Sequence, residues 1–447
     1  MKRKITAKLV EWKNKKEDRK PLLLYGARQV GKTYIIQDFA DRFYKNSLYI
    51  NFEKMPLVGS FFDSDISPAR LIKILESHFD TKIVENDTLL IFDEIQICER
   101  ALTSLKYFAE EAQNIHIIAA GSLMGVAINR EKYSFPVGKV EMLTLYPLNF
   151  EEFLMATGKS HFIEIIQEHY IADKPMSSIM HTTLLDLHKR YLAVGGMPVA
   201  VKSFVNGASF SAISEMQSNI LNAYSADMSK YASQHESVKI RGAYDSIPAQ
   251  LAKINRKFQY KLIRKGASTA LFGSSIEWIV MSGVVLKCDK VERGTSPLPI
   301  FRDLSSFKLY MSDTGLYCAK ASIAPKSVIE GGLNDVLKGA ISENCVAQTL
   351  IANGFALFYW ESHSQAEVDF VIQKEELAIP IEVKYDINTR SKSLNSFIKK
   401  YNPPYAIRVS AKNFGFENRI KSVPHYAVFC IVLVSKEAAF LAKLFHL

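Results

Sequence analysis

Residues 22–33 read Leu-Leu-Leu-Tyr-Gly-Ala-Arg-Gln-Val-Gly-Lys-Thr, a short apolar run followed by a complete G-x-x-x-x-G-K-S/T phosphate-binding loop. The next residues, 34–44, have the pattern of a helix. Glycines let backbone N–H groups surround a β-phosphate, and a helix N-terminus adds positive potential. Lys32 would reach the β- and γ-phosphates, and the Thr33 hydroxyl can ligate Mg²⁺. The loop predicts a nucleoside triphosphate site, whose expected contacts are Gly26, Ala27, Arg28, Gln29, Val30, Gly31, Lys32, Thr33 and Tyr34.

The composition of the 447-residue chain narrows the class of protein. Apolar residues make up 48% and charged residues 23%, as in ordinary globular chains, and about 150 residues per domain predicts roughly three domains. The net charge of +10 weakly favours an acidic partner such as nucleic acid. No apolar run is long enough for a membrane span or resembles a signal peptide, and the five cysteines stand singly. We therefore expect a cytoplasmic protein with no membrane association.

Apolar, strand-like runs alternate with helical stretches in the first third of the chain. This alternation indicates an α/β fold with a doubly wound, mostly parallel sheet, since continuous apolar runs suit strands covered on both faces. After Pro147 the pattern becomes helical, and the late apolar run 426–435 is predicted to be a buried strand. The predicted strands of the first sheet are residues 21–25, 47–52, 88–92, 116–120 and 139–145.

Two carboxylates, Asp93 and Glu94, end one of these apolar runs. In a P-loop enzyme such a pair would hold Mg²⁺ through Asp93 and orient the attacking water through Glu94. Ser122, just after the 116–120 run, would contact the γ-phosphate if that strand lies between the P-loop strand and the acidic strand. Lys32, Glu94 and Ser122 are thus the predicted catalytic residues. The alternatives are a strand that ends in solvated acids and an ordinary strand-end turn.

Together these motifs resemble those of AAA-type ATPases from a widespread, poorly characterised bacterial and archaeal family. Its members pair a G-x-R-Q-V-G-K-T loop and a D-E-I-Q motif, here residues 26–33 and 93–96, with a C-terminal domain of unknown function. The resemblance implies that the chain binds ATP and hydrolyses it with Mg²⁺. It extends to residues 145–153 (Leu-Tyr-Pro-Leu-Asn-Phe-Glu-Glu-Phe), 195–198 (Gly-Gly-Met-Pro) and 312–316 (Ser-Asp-Thr-Gly-Leu).

One departure from this family concerns the residue expected to sense phosphate. Family members usually have Gly-Arg before the fifth strand, where this chain has Gly138-Lys139. A lysine supplies charge but not the bidentate fork of arginine. Arg130 is the other candidate for an arginine finger, and the sequence does not choose between Arg130 and Lys139.

A basic segment between Gln250 and Gly266 contains six cations and no acidic residue, with Phe258 and Tyr260 among them. This density suits a nucleic-acid phosphate backbone. The surrounding residues, 247–291, have helix, turn, helix and strand proportions, and the resemblance implies a winged helix-turn-helix here. A solvated basic helix face and a winged helix that packs on the ATPase are the alternatives. The predicted DNA-binding residues are Lys253, Arg256, Lys257, Lys261, Arg264 and Lys265.

The C-terminal part of the chain contains a constellation of acids and a lysine. Asp369 followed by Glu382-x-Lys384 has the spacing of the PD-(D/E)xK nuclease core, and positions 382 and 384 of one strand point to the same face. Asp369 and Glu382 would bind Mg²⁺, helped by Glu343 or Glu367, and Lys384 would help to activate water. The resemblance likewise implies a restriction-endonuclease-like fold. Surface salt pairs on strand edges are the alternative.

The predicted organisation has four parts. They are an AAA-type P-loop core (1–150), a helical lid (151–235), a winged helix (236–300) and an α/β nuclease-like domain (301–447). The leading hypothesis is an ATP-hydrolysing, DNA-associated protein, which could also assemble as a homo-oligomer. The competing hypothesis is a signalling ATPase that switches on ATP binding and recruits a protein partner, with a non-catalytic C-terminal domain. Salt-dependent DNA binding separates the two.

Overall fold

A computed structural model of the chain describes residues 1–121, 136–230, 233–362, 366–387 and 392–433. The chain divides into two compact units. They are Met1–Tyr146 with Met281–Gly283, and Pro147–Val280 with Val284–Leu447. No helix among the described residues is long and apolar enough to cross a membrane.

The first unit is built on a parallel sheet. Its strands are β1 (Leu22–Tyr25), β2 (Asn46–Asn51), β3 (Thr88–Asp93), β4 (His116–Ala120) and β5 (Glu141–Thr144). Their order is β2-β3-β4-β1-β5, and all neighbours are parallel. β1, β3 and β4 are buried along their whole length, as their continuous apolar runs require. The predicted strands are confirmed to within two residues, and β4 lies between the P-loop strand and the acidic strand as expected.

Helices alternate with these strands along the chain, and one of them begins at the end of the phosphate-binding loop. They are α1 (Ile5–Lys13), α2 (Lys32–Phe43), α3 (Pro56–Gly59), α4 (Pro68–Phe79) and α5 (Glu99–Glu111). α2 begins directly after Gly31, whose φ of +94° lies in the left-handed region that glycine adopts at little cost. The turn that follows β1 therefore ends at the N-terminus of a helix, where backbone N–H groups have no partner within the helix. Beside β3, the rings of Phe52, Phe62 and Phe92 pack edge to face in the core.

The second unit begins with helices, as the change of pattern after Pro147 predicts. They are α6 (Phe150–Ala156), α7 (His161–Ala172), α8 (Ser178–Val194), α9 (Pro198–Val205), α10 (Phe210–Lys230), α11 (Gln234–Asp245), α12 (Ile247–Leu251) and α13 (Thr269–Met281). Asn149 and Glu152 form a capping box at the start of α6, which satisfies two of its unpaired backbone donors.

A mixed sheet follows, with more helices between its strands. The strands are β6 (Val285–Val291), β7 (Arg302–Met311), β8 (Phe358–Glu361), β9 (Glu367–Lys374), β10 (Leu377–Val383), β11 (Ala406–Ser410), β12 (Gly415–Glu417) and β13 (Ile420–Pro424). The helices are α14 (Thr314–Lys320), α15 (Pro325–Glu330), α16 (Asp335–Ala352) and α17 (Lys392–Tyr401). The strand order is β12-β13-β11-β10-β9-β8-β6-β7 in the described part of the chain. β9 is antiparallel to β8 and β10, and β10 is parallel to β11. Along the chain, α16 is followed by three strands (β8 to β10), then by α17 and β11.

Two local predictions are wrong. The run predicted as a late strand contains a 3₁₀ helix, His425–Cys430, in its described part. Its side chains are buried on all sides, and periodicity alone cannot separate such a strand from a buried helical turn. The basic segment is not a helix face either, because residues 252–268 connect α12 to α13 with a single 3₁₀ turn at Tyr260–Leu262. The left-handed conformation of Arg256, φ +47°, is incompatible with a helix there.

Three of the sequence stretches shared with the resembled family meet inside the second unit. Asp313 caps α14 by accepting a hydrogen bond from Leu316 N at 2.9 Å, and its other oxygen accepts one from Gly196 N at 2.5 Å. Gly196 O accepts in turn from Leu148 N at 2.7 Å. Burial raises the pKa of Asp313 to about 6, although these N–H donors oppose the rise. These hydrogen bonds among Leu148, Gly196 and Asp313 therefore hold the three stretches together within the second unit.

The variant Gly196→Ala is expected to destabilise the chain by about 1–3 kcal/mol or more. A Cβ at this position would lie 2.0 Å from Leu148 O, a backbone atom that can move only if the surrounding hydrogen bonds are strained. Thermal unfolding of the purified chain measures the destabilisation as a lower midpoint. Gly332→Ala is the matched control, because a Cβ there meets nothing within 4 Å. Equal midpoints for the two variants would contradict the packing argument.

Candidate functional site

The side chain of Lys32 folds back onto the phosphate-binding loop and donates hydrogen bonds to its backbone. Lys32 Nζ donates to Gly26 O at 2.8 Å and to Ala27 O at 3.0 Å. Burial lowers the pKa of Lys32 to about 8, although the carboxylates of Glu94 and Asp93 oppose the shift. The buried ammonium contacts neutral carbonyl oxygens, and its electrostatic energy becomes more favourable when a negatively charged phosphate replaces them.

The two predicted metal ligands touch each other. Thr33 Oγ1 donates to Asp93 Oδ2 at 2.8 Å, which joins the start of α2 to the end of β3. Tyr49, on the neighbouring strand β2, donates to the same oxygen at 2.7 Å. A hydroxyl and a carboxylate side by side are the oxygen donors that Mg²⁺ takes from a protein when phosphates and water supply the rest. These residues therefore fit the metal that the loop implies.

Glu94 lies just beyond β3 with its backbone in the left-handed region, at φ +52°. Gln96 Nε2 donates to Glu94 Oε2 at 2.5 Å, whereas Gln96 Oε1 is buried with no hydrogen-bond partner. Such a conformation is costly for a residue with a side chain and recurs at functional sites. Glu94 and Gln96 are the two polar residues that follow Asp93 in the D-E-I-Q motif. The hydrogen bond from Gln96 thus fixes the Glu94 carboxylate.

The remaining predictions for this unit have mixed outcomes. Ser122 and Arg130 lie outside the described residues. Lys139 forms an ion pair with Glu110 at 3.0 Å, so its charge has a partner on α5. Tyr34, the last residue predicted to contact the nucleotide, is 54% exposed.

The basic segment divides into paired and exposed cations. Arg256 forms an ion pair with the buried Glu343, and Lys257 donates to both carboxylate oxygens of Glu361 at 2.5 Å. Both ion pairs lie within the second unit. The other four cations are exposed: Lys253, Lys261, Arg264 and Lys265. Two of the six predicted DNA-binding residues are therefore engaged by the chain itself.

The C-terminal constellation is assembled as the strand pattern predicts. Glu367 and Asp369 lie on β9, Glu382 lies on β10 and Lys384 follows it. Asp369 Oδ2 accepts from the backbone N–H of Val383 at 2.8 Å, which holds this carboxylate against the end of β10. The Lys384 ammonium lies 3.1 Å from Glu382. A cleft of about 480 Å³ is lined by residues of this group.

A buried cation that the sequence patterns did not reveal pairs with carboxylates of this cleft. Lys308, fully buried on β7, lies 2.5 Å from Glu367 and 3.9 Å from Glu343. Tyr310 donates to Glu343 at 3.1 Å. Burial together with the neighbouring Asp369 raises the pKa of Glu343 to about 7, and the Arg256 and Lys308 charges oppose this. The signal in the sequence was a lysine inside an apolar strand, Phe307-Lys308-Leu309, since a buried lysine needs a carboxylate partner.

The donor groups of the cleft bear on whether it can bind a metal. No three or more His, Cys, Asp or Glu side chains among the described residues are grouped so as to hold a metal ion. Two carboxylates are enough for Mg²⁺, which keeps several of its waters. Glu382 Oε2 is buried and has no hydrogen-bond partner, although the other oxygen of this carboxylate contacts Lys384. Glu382 lies on the strand that pairs with the strand of Asp369, and its unpartnered carboxylate oxygen is of the kind that a divalent cation takes as a ligand.

Comparison with protein families assigns three segments of the chain. Residues 18–154 match the model of an AAA domain. The chain therefore carries an AAA-type ATPase domain. Residues 185–327 and 338–428 match two domains of unknown function, DUF8612 and DUF4143. A search of curated proteins found no match.

Several solved structures are similar at low identity. The Walker-type ATPase of Pyrococcus abyssi is 15% identical and the match covers 70% of this chain and 94% of that one, with a TM-score of 0.42. The Orc1 protein of Aeropyrum pernix, solved in complex with DNA, is 12% identical, with coverages of 76% and 91% and a TM-score of 0.30. Cdc6p of Pyrobaculum aerophilum is 13% identical, with coverages of 71% and 89% and a TM-score of 0.23. At such low scores, the assignment of the AAA domain rests on residues 18–154 and on the loop geometry.

Proposed function

We propose that the AAA domain binds and hydrolyses ATP. The observation that carries this proposal is the contact between Thr33 and Asp93 at 2.8 Å, because it joins the loop hydroxyl to the acidic strand where the metal would lie. Thr33 and Asp93 would hold Mg²⁺, which supplies positive charge against the phosphates when bound. Lys32 would exchange its carbonyl contacts for the β- and γ-phosphates.

Glu94 is the residue that we propose orients and polarises the attacking water. Its carboxylate is held through one oxygen by Gln96, a charge-assisted hydrogen bond that leaves the second oxygen to accept from water. A base fixed in this way loses little orientational freedom when the reaction occurs. ATP turnover by the purified chain with Mg²⁺, with and without DNA, tests the activity and its coupling to nucleic acid.

We also propose that the chain associates with DNA through its basic segment, within the winged helix predicted for residues 236–300, with residues 151–235 as a helical lid. Support comes from the four exposed cations and from the order of three helices followed by two antiparallel strands. Arg256 and Lys257 are left out of this surface, because they pair with Glu343 and Glu361. The exposed group of Lys261, Arg264 and Lys265 is the main candidate for phosphate contacts.

Replacing Lys261, Arg264 and Lys265 with Ala is expected to weaken DNA binding about equally for all sequences. The slope of log Kd against log salt should fall by about 0.9 for each DNA phosphate that is no longer neutralised, because fewer counterions are released. Fluorescence anisotropy with labelled duplexes at several salt concentrations measures both effects. The control removes three exposed lysines of the AAA domain, Lys54, Lys73 and Lys82, and so the same net charge. If both triple variants bind DNA equally weakly, net charge and not this segment is responsible.

For the C-terminal cleft we propose metal-dependent cleavage of nucleic acid. The observation that favours it is the Asp369 carboxylate, hydrogen-bonded at 2.8 Å to the strand end that carries Glu382 and Lys384. Asp369 and Glu382 would hold Mg²⁺, which supplies an activated water when bound. Burial opposes the charge of Lys384, but Glu382 and Asp369 outweigh it and raise its pKa above the ordinary value, so this lysine is a stable cation beside the attacked phosphate.

A further inference from the structure

The charged side chains of an inner cluster, some of which line the cleft, largely balance one another. Among the described residues, four carboxylates of this cluster face three cations. The carboxylates are Glu343, Glu367, Asp369 and Glu382, and the cations are Arg256, Lys308 and Lys384. At the mouth of the cleft, Lys338 pairs with Asp335 and Asp386. The cations of the chain therefore already neutralise most of the carboxylate charge that a metal ion would otherwise neutralise.

We propose that Arg256 is an internal plug that occupies the cleft in place of the divalent cation, so that metal binds only when this side chain leaves. The inference rests on the metal-binding role proposed for Asp369 and Glu382. With Arg256 present and all four carboxylates ionised, the inner cluster carries one net negative charge. Without it the cluster carries two, which a divalent cation neutralises. Two buried cations at one carboxylate site repel each other, and the weaker binder is excluded.

Arg256 has the properties of a residue that can leave. It stands on the loop between α12 and α13 with its backbone at φ +47°, a conformation that is uncommon for a residue with a side chain. Its guanidinium reaches Glu343 on α16, but its buried Nε has no hydrogen-bond partner. Lys308, in contrast, is fully buried within β7 and remains whatever the loop does. Arg256 is thus the cation that can leave the cluster, and Lys308 is the cation that stays.

Gly339 offers a way to expel Arg256 without deleting it. Gly339 lies in α16, and a Cβ added there would be 2.3 Å from Arg256 Nη2. The guanidinium is the far end of a flexible side chain, whereas the helix backbone is fixed, so the arginine must move. Alanine also favours the helix more than glycine does. Gly339→Ala is therefore expected to displace the guanidinium while the chain keeps its fold.

The test measures Mn²⁺ binding by the full chain without nucleotide, from the electron paramagnetic resonance signal of the unbound ion. Gly339→Ala should bind one Mn²⁺ about tenfold more tightly than the parent, since apparent affinity scales with the fraction of molecules whose site is open. Arg256→Gln should show the same gain. Adding Asp369→Asn to Gly339→Ala should remove the gain, which separates this site from any metal held at Thr33 and Asp93.

Two matched controls accompany these variants. Gly332→Ala makes the same chemical change where a Cβ meets nothing, and Lys257→Ala removes the neighbouring cation that pairs with Glu361. Both should bind Mn²⁺ as the parent does. Parent-like binding by Gly339→Ala and Arg256→Gln, or a gain that survives Asp369→Asn, would overturn the plug. A chain that gains Mn²⁺ affinity but cleaves no nucleic acid would refute the nuclease proposal and leave the plug standing.

Discussion

Replacing Glu94 with Gln is expected to lower ATP turnover by about 10²–10⁴-fold, while ATP still binds with nearly the parental affinity. The amide has the shape of the carboxylate but lacks its charge, so it can no longer polarise the attacking water. Gln96 Nε2 can still donate to the amide oxygen of the substituted side chain, and the turn beyond β3 should be retained. Steady-state phosphate release and equilibrium binding of a fluorescent ATP analogue separate the two effects.

Two further variants bracket this prediction. Lys32→Ala should abolish nucleotide binding as well as turnover, because the cation that meets the γ-phosphate is gone. Glu111→Gln makes the same acid-to-amide change at an exposed position of α5 and should turn over ATP like the parent. Normal turnover in Glu94→Gln, with no turnover in Lys32→Ala, would show that the water is held by a different residue.

The contact between Thr33 and Asp93 could be anticipated from the sequence because much of the pattern is local. Gly31, Lys32 and Thr33 are contiguous, and parallel strands bring their carboxyl ends to one edge, so Asp93 had to arrive near Thr33. What sequence patterns did not show is the set of residues that hold these groups in place. Tyr49 reaches Asp93 only through the pairing of β2 with β3, and Glu94 is held by Gln96 through a turn that no propensity encodes.

The C-terminal cleft was predictable in part for the same reason. Asp369 and Glu382 lie on the consecutive strands β9 and β10, and Lys384 directly follows β10, so the spacing indicated that the three residues lie close together. Their counter-ions did not follow, since Arg256 is 87 residues from Glu343 in sequence and the pairing is set by tertiary structure. The same contact shows that charge density alone does not separate exposed cations from cations that pair within the chain. A basic residue that the fold places next to a buried acidic cluster forms ion pairs with that cluster instead of contacting a DNA phosphate.

Lys384→Ala is expected to reduce metal-dependent cleavage of nucleic acid by about 10²-fold or more, with ATP turnover unchanged. The ammonium, 3.1 Å from Glu382, is the cation placed to stabilise the attacking water and the charge that develops on the phosphate. Asp369→Asn should have at least as large an effect, because it removes a metal ligand. ATP turnover should persist in both, since Lys32, Thr33, Asp93 and Glu94 belong to the other compact unit.

The assay uses single- and double-stranded DNA with Mg²⁺ or Mn²⁺, with and without ATP, and compares the parent with Gly339→Ala. Because Arg256 occupies the inner cluster, Gly339→Ala should cleave faster than the parent at low metal concentration. Lys399→Ala, which removes an exposed lysine of α17, is the control for the removal of one charge. Absence of cleavage by both the parent and Gly339→Ala would mean that the cleft binds its ligand without breaking it. The chemistry of the chain would then be confined to the AAA domain.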